Sequence, residues 1–281
     1  MKRIYSYKKD KGILYLVATP IGNMQDITFR AIDTLKNADV IYAEDTRNSS
    51  VLLNHFNIGT HLLSYHEFNK ELKEDEIIAR LLNGENVAII SDAGLPVISD
   101  PGYDIARAAI AHDIPVTPIP GASAGISGLI ASGLAPQPFT FIGFLDSKHT
   151  ARVKQLEKFK FVDHTLIFHE APHRIKEFLT DMKDVFGDRQ ICIGRELTKK
   201  FEEFIRGNIS EIIPECDNMK GEMVVIVEGA KAVIDTNKDP IEEINNLISI
   251  GYKPKEAIKE VASELNLNKQ ELYKKFVDLK K

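Results

Sequence analysis

Four short stretches combine glycine or proline with polar or charged neighbours: residues 19–23 (TPIGN), 91–102 (SDAGLPVISDPG), 120–125 (PGASAG) and 169–174 (HEAPHR). Glycine lets a backbone come close to a ligand, and proline fixes a loop before the ligand arrives. Taken singly, each stretch could be a tight turn and nothing more. Three segments, AEDTR (43–47), HEAPHR and RELTKKFEE (195–203), interleave carboxylates with basic residues. Such patterns either present charge to a substrate or form structural ion pairs. Common nucleotide signatures are missing, with no GxGxxG and no GxxxxGK[ST], and GASAG at 121–125, which spells GxSxG, is not read as a nucleophile elbow. HEAPH at 169–173 spells HExxH, but Pro172 interrupts the i, i+4 pair of His169 and His173. That pair makes a poor metal site without a third ligand.

The elements that must carry these loops follow from periodicity. Apolar runs at residues 12–18, 40–42, 86–91 and 114–117 read as short strands. Between and around them, helical patterns follow Thr28 and cover 71–83 and 101–112. Strands regularly separated by helices predict a mainly parallel α/β sheet, with the glycine-rich loops at strand ends, where such sheets bind ligands. A second α/β unit has strands predicted at 139–142, 164–168, 189–193 and 222–227, and helices at 152–159 and 174–185. Residues 235–239 read as a linker. Three short helices follow at 240–250, 254–265 and 268–280, with Pro240 and Pro254 at helix starts and Gly251 at a stop. The expected division is 1–120, 121–234 and 235–281.

Composition agrees with a globular chain of about two domains plus an appendage. Of 281 residues, 43% are apolar and 27% charged, with a formal net charge of −5. That balance argues against a disordered chain and against a general nucleic-acid coat protein. Cys192 and Cys216 form no CxxC, so a zinc site or disulfide framework is not expected, and a reducing cytoplasm fits. The first eleven residues are basic but lack the apolar run of a signal peptide. The stretch 116–145 holds no charge over 30 residues, yet its four prolines and five glycines argue for a domain junction and against a membrane span.

TPIGNMQDITFRA (19–31), AEDTR, SDAGLPVISDPG, PGASA, HEAPHR and RELTKKFEE occur together and in this order. As a set they resemble the tetrapyrrole-methylase superfamily, which has the class III S-adenosylmethionine-dependent methyltransferase fold. Within it the set is most similar to the bacterial small-subunit ribosomal RNA 2′-O-methyltransferases. The resemblance spans nearly the whole chain. It implies two α/β domains with S-adenosylmethionine in the cleft between them, a small helical C-terminal region and a cytoplasmic homodimer. The substrate it implies is the ribose of a cytidine in the decoding centre of 16S ribosomal RNA, within the small ribosomal subunit. Other readings are a methylase of a tetrapyrrole or another small molecule, and a noncatalytic ribosome-assembly protein.

Carried over residue by residue, the resemblance places Pro20 at the first strand end. Asp92, Ala93, Gly94, Pro96 and Ile98 fall on the cofactor loop, and Ser123 with Ala124 on the next. Phe168, His169 and Ala171 take a later loop, and Gly221, Glu222 and Met223 the approach to the last strand. DAGLP lacks the acidic residue before proline found in the GGDP form of porphyrin-modifying members. The charge is suited to a sulfonium: residues 91–102 hold two aspartates and no basic residue. For the weakly nucleophilic ribose hydroxyl, Asp45, Arg47 and Arg174 are candidate catalytic groups, alongside Glu44, Glu170, Arg195 and Glu196, with the base unassigned. Phosphate-facing candidates are Lys148, Arg152 and Lys154 in a basic segment, and Arg195, Lys199 and Lys200 in a second cluster. Residues 251–281 add eight lysines against five acids.

Overall fold

The computed structural model describes residues 3–6, 11–66, 70–100, 102–217, 219–231, 239–265 and 267–278. Most of the expected linker (235–238) lies outside them, as do Pro101 and Lys280. The chain forms two compact units, Met1–Gly229 and Ala230–Lys281.

The first unit holds two five-stranded sheets. The first is built from β1 (Leu14–Val17), β2 (Val40–Ala43), β3 (Leu62–Ser64), β4 (Val87–Ile90) and β5 (Val116–Ile119), in the order β3-β2-β4-β1-β5 and parallel throughout. β2 and β4 are buried at every position, as strands covered on both faces must be. Helices α1 (Phe29–Asn37) and α2 (Thr46–His55) cover one face through Ala31, Leu35 and Leu53. α3 (Lys70–Leu82) and α4 (Tyr103–Ala111) cover the other through Ile77, Leu81, Ile105 and Ala109. Thr28 caps α1, its hydroxyl accepting from the Ala31 amide at 3.0 Å.

α5 (Ala124–Ser132) leads from β5 into the second sheet: β6 (Phe139–Phe144), β7 (Thr165–Glu170), β8 (Gln190–Arg195), β9 (Glu203–Asn208) and β10 (Met223–Val227). Its order is β6-β7-β10-β8-β9, with only the β6–β7 pair parallel. Here the architecture departs from the strand–helix alternation: β9 follows β8 without a helix and runs antiparallel to it. α6 (His149–Glu157), α7 (Ile175–Phe186) and α8 (Ile209–Ile212) pack on one face of this sheet. On the other face α5 lies so close that a Cβ on Gly128 would come within 2.7 Å of Val224. The uncharged stretch is thus this junction. Among the described residues no helix is long and apolar enough to cross a membrane. Ile21, from the loop after β1, packs with Leu129, Ile167, Leu197 and Val224 and so joins the two sheets.

The second unit is three helices, α9 (Pro240–Ser249), α10 (Pro254–Glu264) and α11 (Lys269–Asp278), around Ile244, Ile258, Val261, Leu272 and Phe276.

Candidate functional site

The strand-end loops converge. The loop after β4 is tied to the loop after β1 by a two-way bridge. The Thr19 amide donates to the Gly94 carbonyl at 2.9 Å, and the Gly94 amide returns a bond to Thr19 at 3.2 Å. Gly94 adopts φ +80°, a conformation that L side chains rarely take. Around this bridge a cavity of about 510 Å³ opens between the two sheets. One wall is residues 93–95 and 98–100 with the start of α5. The opposite wall comes from β6, the exits of β7 and β8, and the start of β10.

Ala93, Gly94, Ile98, Ser123, Ala124, His169, Ala171, Glu222 and Met223 line it, as the sequence led us to expect for a ligand site. Five other expected residues do not. Pro20 and Pro96 are buried beside it. Asp92 turns outward, accepting from the Asp45 amide at 3.3 Å and from Asn48 Nδ2 at 2.9 Å. Gly221, at φ +90°, lets the Glu196 side chain pass. Phe168 is a correction: its ring is fully buried on the other face of β7, against Phe178, because successive strand residues alternate faces.

Among the described residues no lysine or arginine lines the cavity, whereas Asp100, Glu170 and Glu222 do. Burial, with the negative charges of Glu44 and Asp92, pushes the Asp100 carboxyl up to about 6. The His169 ring sits between Phe141 and Phe144, each centroid 5.4 Å away, and burial lowers its proton affinity. Its Nε2 is buried without a partner, and so is Glu170 Oε2. Two unsatisfied polar atoms on one cavity wall are what a polar ligand would complete. Both phenylalanines were missed by the sequence reading. A register shift between Phe141 and Gly143 returns Phe144 to the cavity face, which strict alternation would not reveal.

The catalytic candidates are not gathered at one point. Asp45 and Arg47 lie beyond β2, outside the cavity. The guanidinium there grips Asp45 through two bonds of 3.0 and 2.6 Å, and this holds the carboxyl down at about 2. Arg174 pairs with Glu170 Oε1 at 2.6 Å, behind the cavity wall. Among the basic candidates, Lys148, Lys154 and Lys200 are exposed. Arg195 is drawn into the sheet by Glu203 (2.7 Å) and the Lys220 carbonyl (3.0 Å). Lys199 bridges Glu196 and Glu222 at 2.9 and 3.0 Å.

Arg152 is a second correction. Its side chain is only 1% exposed and its Nε donates to Asp181 Oδ2 at 2.6 Å, so it joins α6 to α7 and meets no phosphate. Arg152 and Leu156 stand four residues apart on the buried face of α6, a spacing that was available in the sequence. His169 and His173 gain no third ligand: among the described residues no group of three or more His, Cys, Asp or Glu is placed to hold a metal ion.

Residues 13–213 match the tetrapyrrole (corrin/porphyrin) methylase family. The chain belongs to that family. Its solved relatives are distant and share the fold. The methyltransferase CobJ superposes with a TM-score of 0.59 at 19% identity, over 78% of this chain and 95% of its own. Uroporphyrin-III C-methyltransferase from Thermus thermophilus, complexed with S-adenosyl homocysteine, gives 0.56 at 19% identity, over 77% and 97%. Much nearer in sequence are proteins named ribosomal RNA small subunit methyltransferase I. The Bacillus subtilis protein is 49% identical over 278 residues (96% of this chain, 95% of its own). The Halalkalibacterium halodurans protein is 48% identical over 277 residues (96% of each). This member of the methylases therefore matches those relatives across its helical second unit too, beyond the reach of the family match.

Proposed function

We propose that this chain transfers a methyl group from S-adenosylmethionine to the ribose 2′-hydroxyl of a cytidine in the decoding centre of 16S ribosomal RNA. The observation that carries the reading is the cavity at the strand ends, large enough for a small ligand, with Asp100 and Glu222 and, among the described residues, no basic side chain on its walls. A sulfonium is repelled by cations and attracted by such a lining. The relatives named as small-subunit methyltransferases support the RNA substrate, since they match nearly full length. The cofactor supplies an activated methyl group. The protein supplies orientation and exclusion of water. In this reading the Gly94 loop and the start of α5 hold the cofactor by close backbone approach. His169, kept neutral by burial, adds its unpaired Nε2 to these contacts.

Asp45 is a poor proton acceptor, because a carboxyl held at about 2 binds a proton weakly at neutral pH. Its part is to orient Arg47 for a phosphate or a developing oxyanion. The reading places the enzyme in the cytoplasm as a homodimer, and light scattering tests the dimer. Methyl transfer from labelled cofactor to small ribosomal subunits lacking the modification, followed by nucleotide mapping, tests the function. Label on another nucleotide or on no RNA overturns it.

Asp100 makes cofactor affinity pH-dependent. Its folded value of about 6 lies above the ordinary 3.8, so it is neutral below that pH and ionised above it. In the ligand-free protein this sign means stability falls as pH rises from 3.8 toward 6, the folded state holding the proton longer. A cationic ligand gains a partner as folded Asp100 ionises around pH 6, so binding should tighten about tenfold between about pH 5 and 7. Calorimetric titration across that range checks this, and Asp100→Asn should flatten the profile. An equally steep profile in the variant assigns the effect elsewhere.

Each core of the first unit is made from its own residues. Removing residues 235–281 is therefore expected to leave a folded protein with unchanged cofactor affinity and reduced methylation of small subunits. Loss of cofactor binding in a folded truncation contradicts that division.

A further inference from the structure

Outside the cavity, a second depression of about 770 Å³ lies between residues 22–25 and residues 198–200, with His55 at its side. It shares both walls with the cavity. Ile21 and Leu197 line the cavity, and the next residue in each loop, Gly22 and Thr198, lines the groove. The backbone makes this switch sharply: Glu196 and Thr198, on either side of Leu197, have φ of +50° and +67°. Gly22 has no side chain because the Lys199 stem crosses it, and a Cβ there would meet Lys199 Cγ at 2.5 Å.

The groove's chemistry differs from that of the cavity. Among the described residues no carboxylate lines it, and two lysines do. Lys199 is committed to Glu196 and Glu222, so its role is to form the partition between the two spaces. Lys200 is exposed and has no carboxylate partner among the described residues. The next residue, Phe201, leaves 66% of its surface open. The Thr198 hydroxyl oxygen is buried with no hydrogen-bond partner. A basic group beside an exposed aromatic ring and an unsatisfied hydroxyl is a set that suits a single-stranded polynucleotide, whose phosphates need charge and whose bases need a flat face.

We propose that this groove seats the single-stranded RNA next to the nucleotide being methylated, with Lys200 on a backbone phosphate, Phe201 stacking a base and the Thr198 hydroxyl bonding a sugar or phosphate oxygen. The inference rests on the RNA-methylation reading and adds to it the path of the strand, one residue's width from the cofactor.

The test is steady-state methylation of small ribosomal subunits lacking the modification, over a series of salt concentrations, with cofactor affinity measured in parallel. Both Lys200 and Phe201 are exposed, so their replacement leaves the fold intact. Lys200→Glu should raise the KM for subunits about tenfold and lower the salt slope by about one phosphate's share. Phe201→Ala should raise KM about fivefold or more. Neither should alter cofactor affinity. Lys36→Glu on α1 makes the same charge change elsewhere and should leave KM unchanged. The groove assignment is overturned if both variants keep wild-type KM and salt slope. It is equally overturned if Lys36→Glu matches Lys200→Glu, or if cofactor affinity falls in step with KM. Failure of the wild-type protein to methylate RNA at all is a separate result, and it removes the underlying reading instead.

Discussion

Replacing Arg174 with alanine is expected to cost about 3 kcal/mol of folding stability, because it strands a buried carboxylate. The Glu170 side chain is 0% exposed and Arg174 19%, and the guanidinium reaches Glu170 Oε1 through Nε at 2.8 Å and Nη2 at 2.6 Å. Glu170 has one further partner at that oxygen, the Ala171 amide at 2.7 Å, and none at Oε2. Loss of activity in Arg174→Ala should therefore track loss of fold. Denaturant unfolding should show the deficit, and adding Glu170→Gln should recover part of it by removing the stranded charge. A variant that keeps wild-type stability yet loses turnover would move Arg174 from this structural role to a catalytic one. Arg47 offers the contrast. Its side chain is 89% exposed, so solvent screens its ion pair and the pair adds little to stability. A large fall in turnover for Arg47→Ala, with melting unchanged, can then be assigned to the RNA step.

The second large effect concerns the cofactor loops. Ala124→Leu should weaken cofactor binding by about 100-fold, or about 2.7 kcal/mol, by adding three carbons to the cavity wall at a position with ordinary helical geometry. Gly94→Val should do the same with an added loss of stability. A Cβ there would lie 3.3 Å from Ile21 Cγ2, and φ +80° is strained for a β-branched residue. Calorimetry on folded variants measures both effects. Unchanged affinity in the two would take these loops out of the binding site.

The first sheet was legible because its strands are short apolar runs at regular intervals, fully buried in β2 and β4. β3 escaped because it is three half-buried residues at an edge. α2 escaped because only Ser49, Leu52 and Leu53 of its ten residues are buried, leaving little periodicity to detect. β9 begins inside a charged motif, and Arg206 in its middle is held by carbonyls of α5, a tertiary partner with no local signature. The same limit applies to the site. Loops that approach a ligand through backbone reveal themselves by glycine and proline. Arg152 found Asp181 29 residues away on another helix, and no spacing within the basic segment could announce that partner.

The strand order β6-β7-β10-β8-β9 also dictates when the protein can first hold a ligand. Of the described strands β10 is the last to be synthesised, and it is the central one of its sheet, pairing with β7 on one side and β8 on the other. Until residues 223–227 emerge, β7 and β8 present unpaired edges, and the wall carried by Glu222, Met223 and Val224 does not exist. The first sheet can be completed once β5 has emerged, whereas the second closes only when β10 inserts between two strands made before it. Ligand binding therefore cannot stabilise any N-terminal fragment that stops short of β10, so a chain interrupted there gains no rescue from added cofactor.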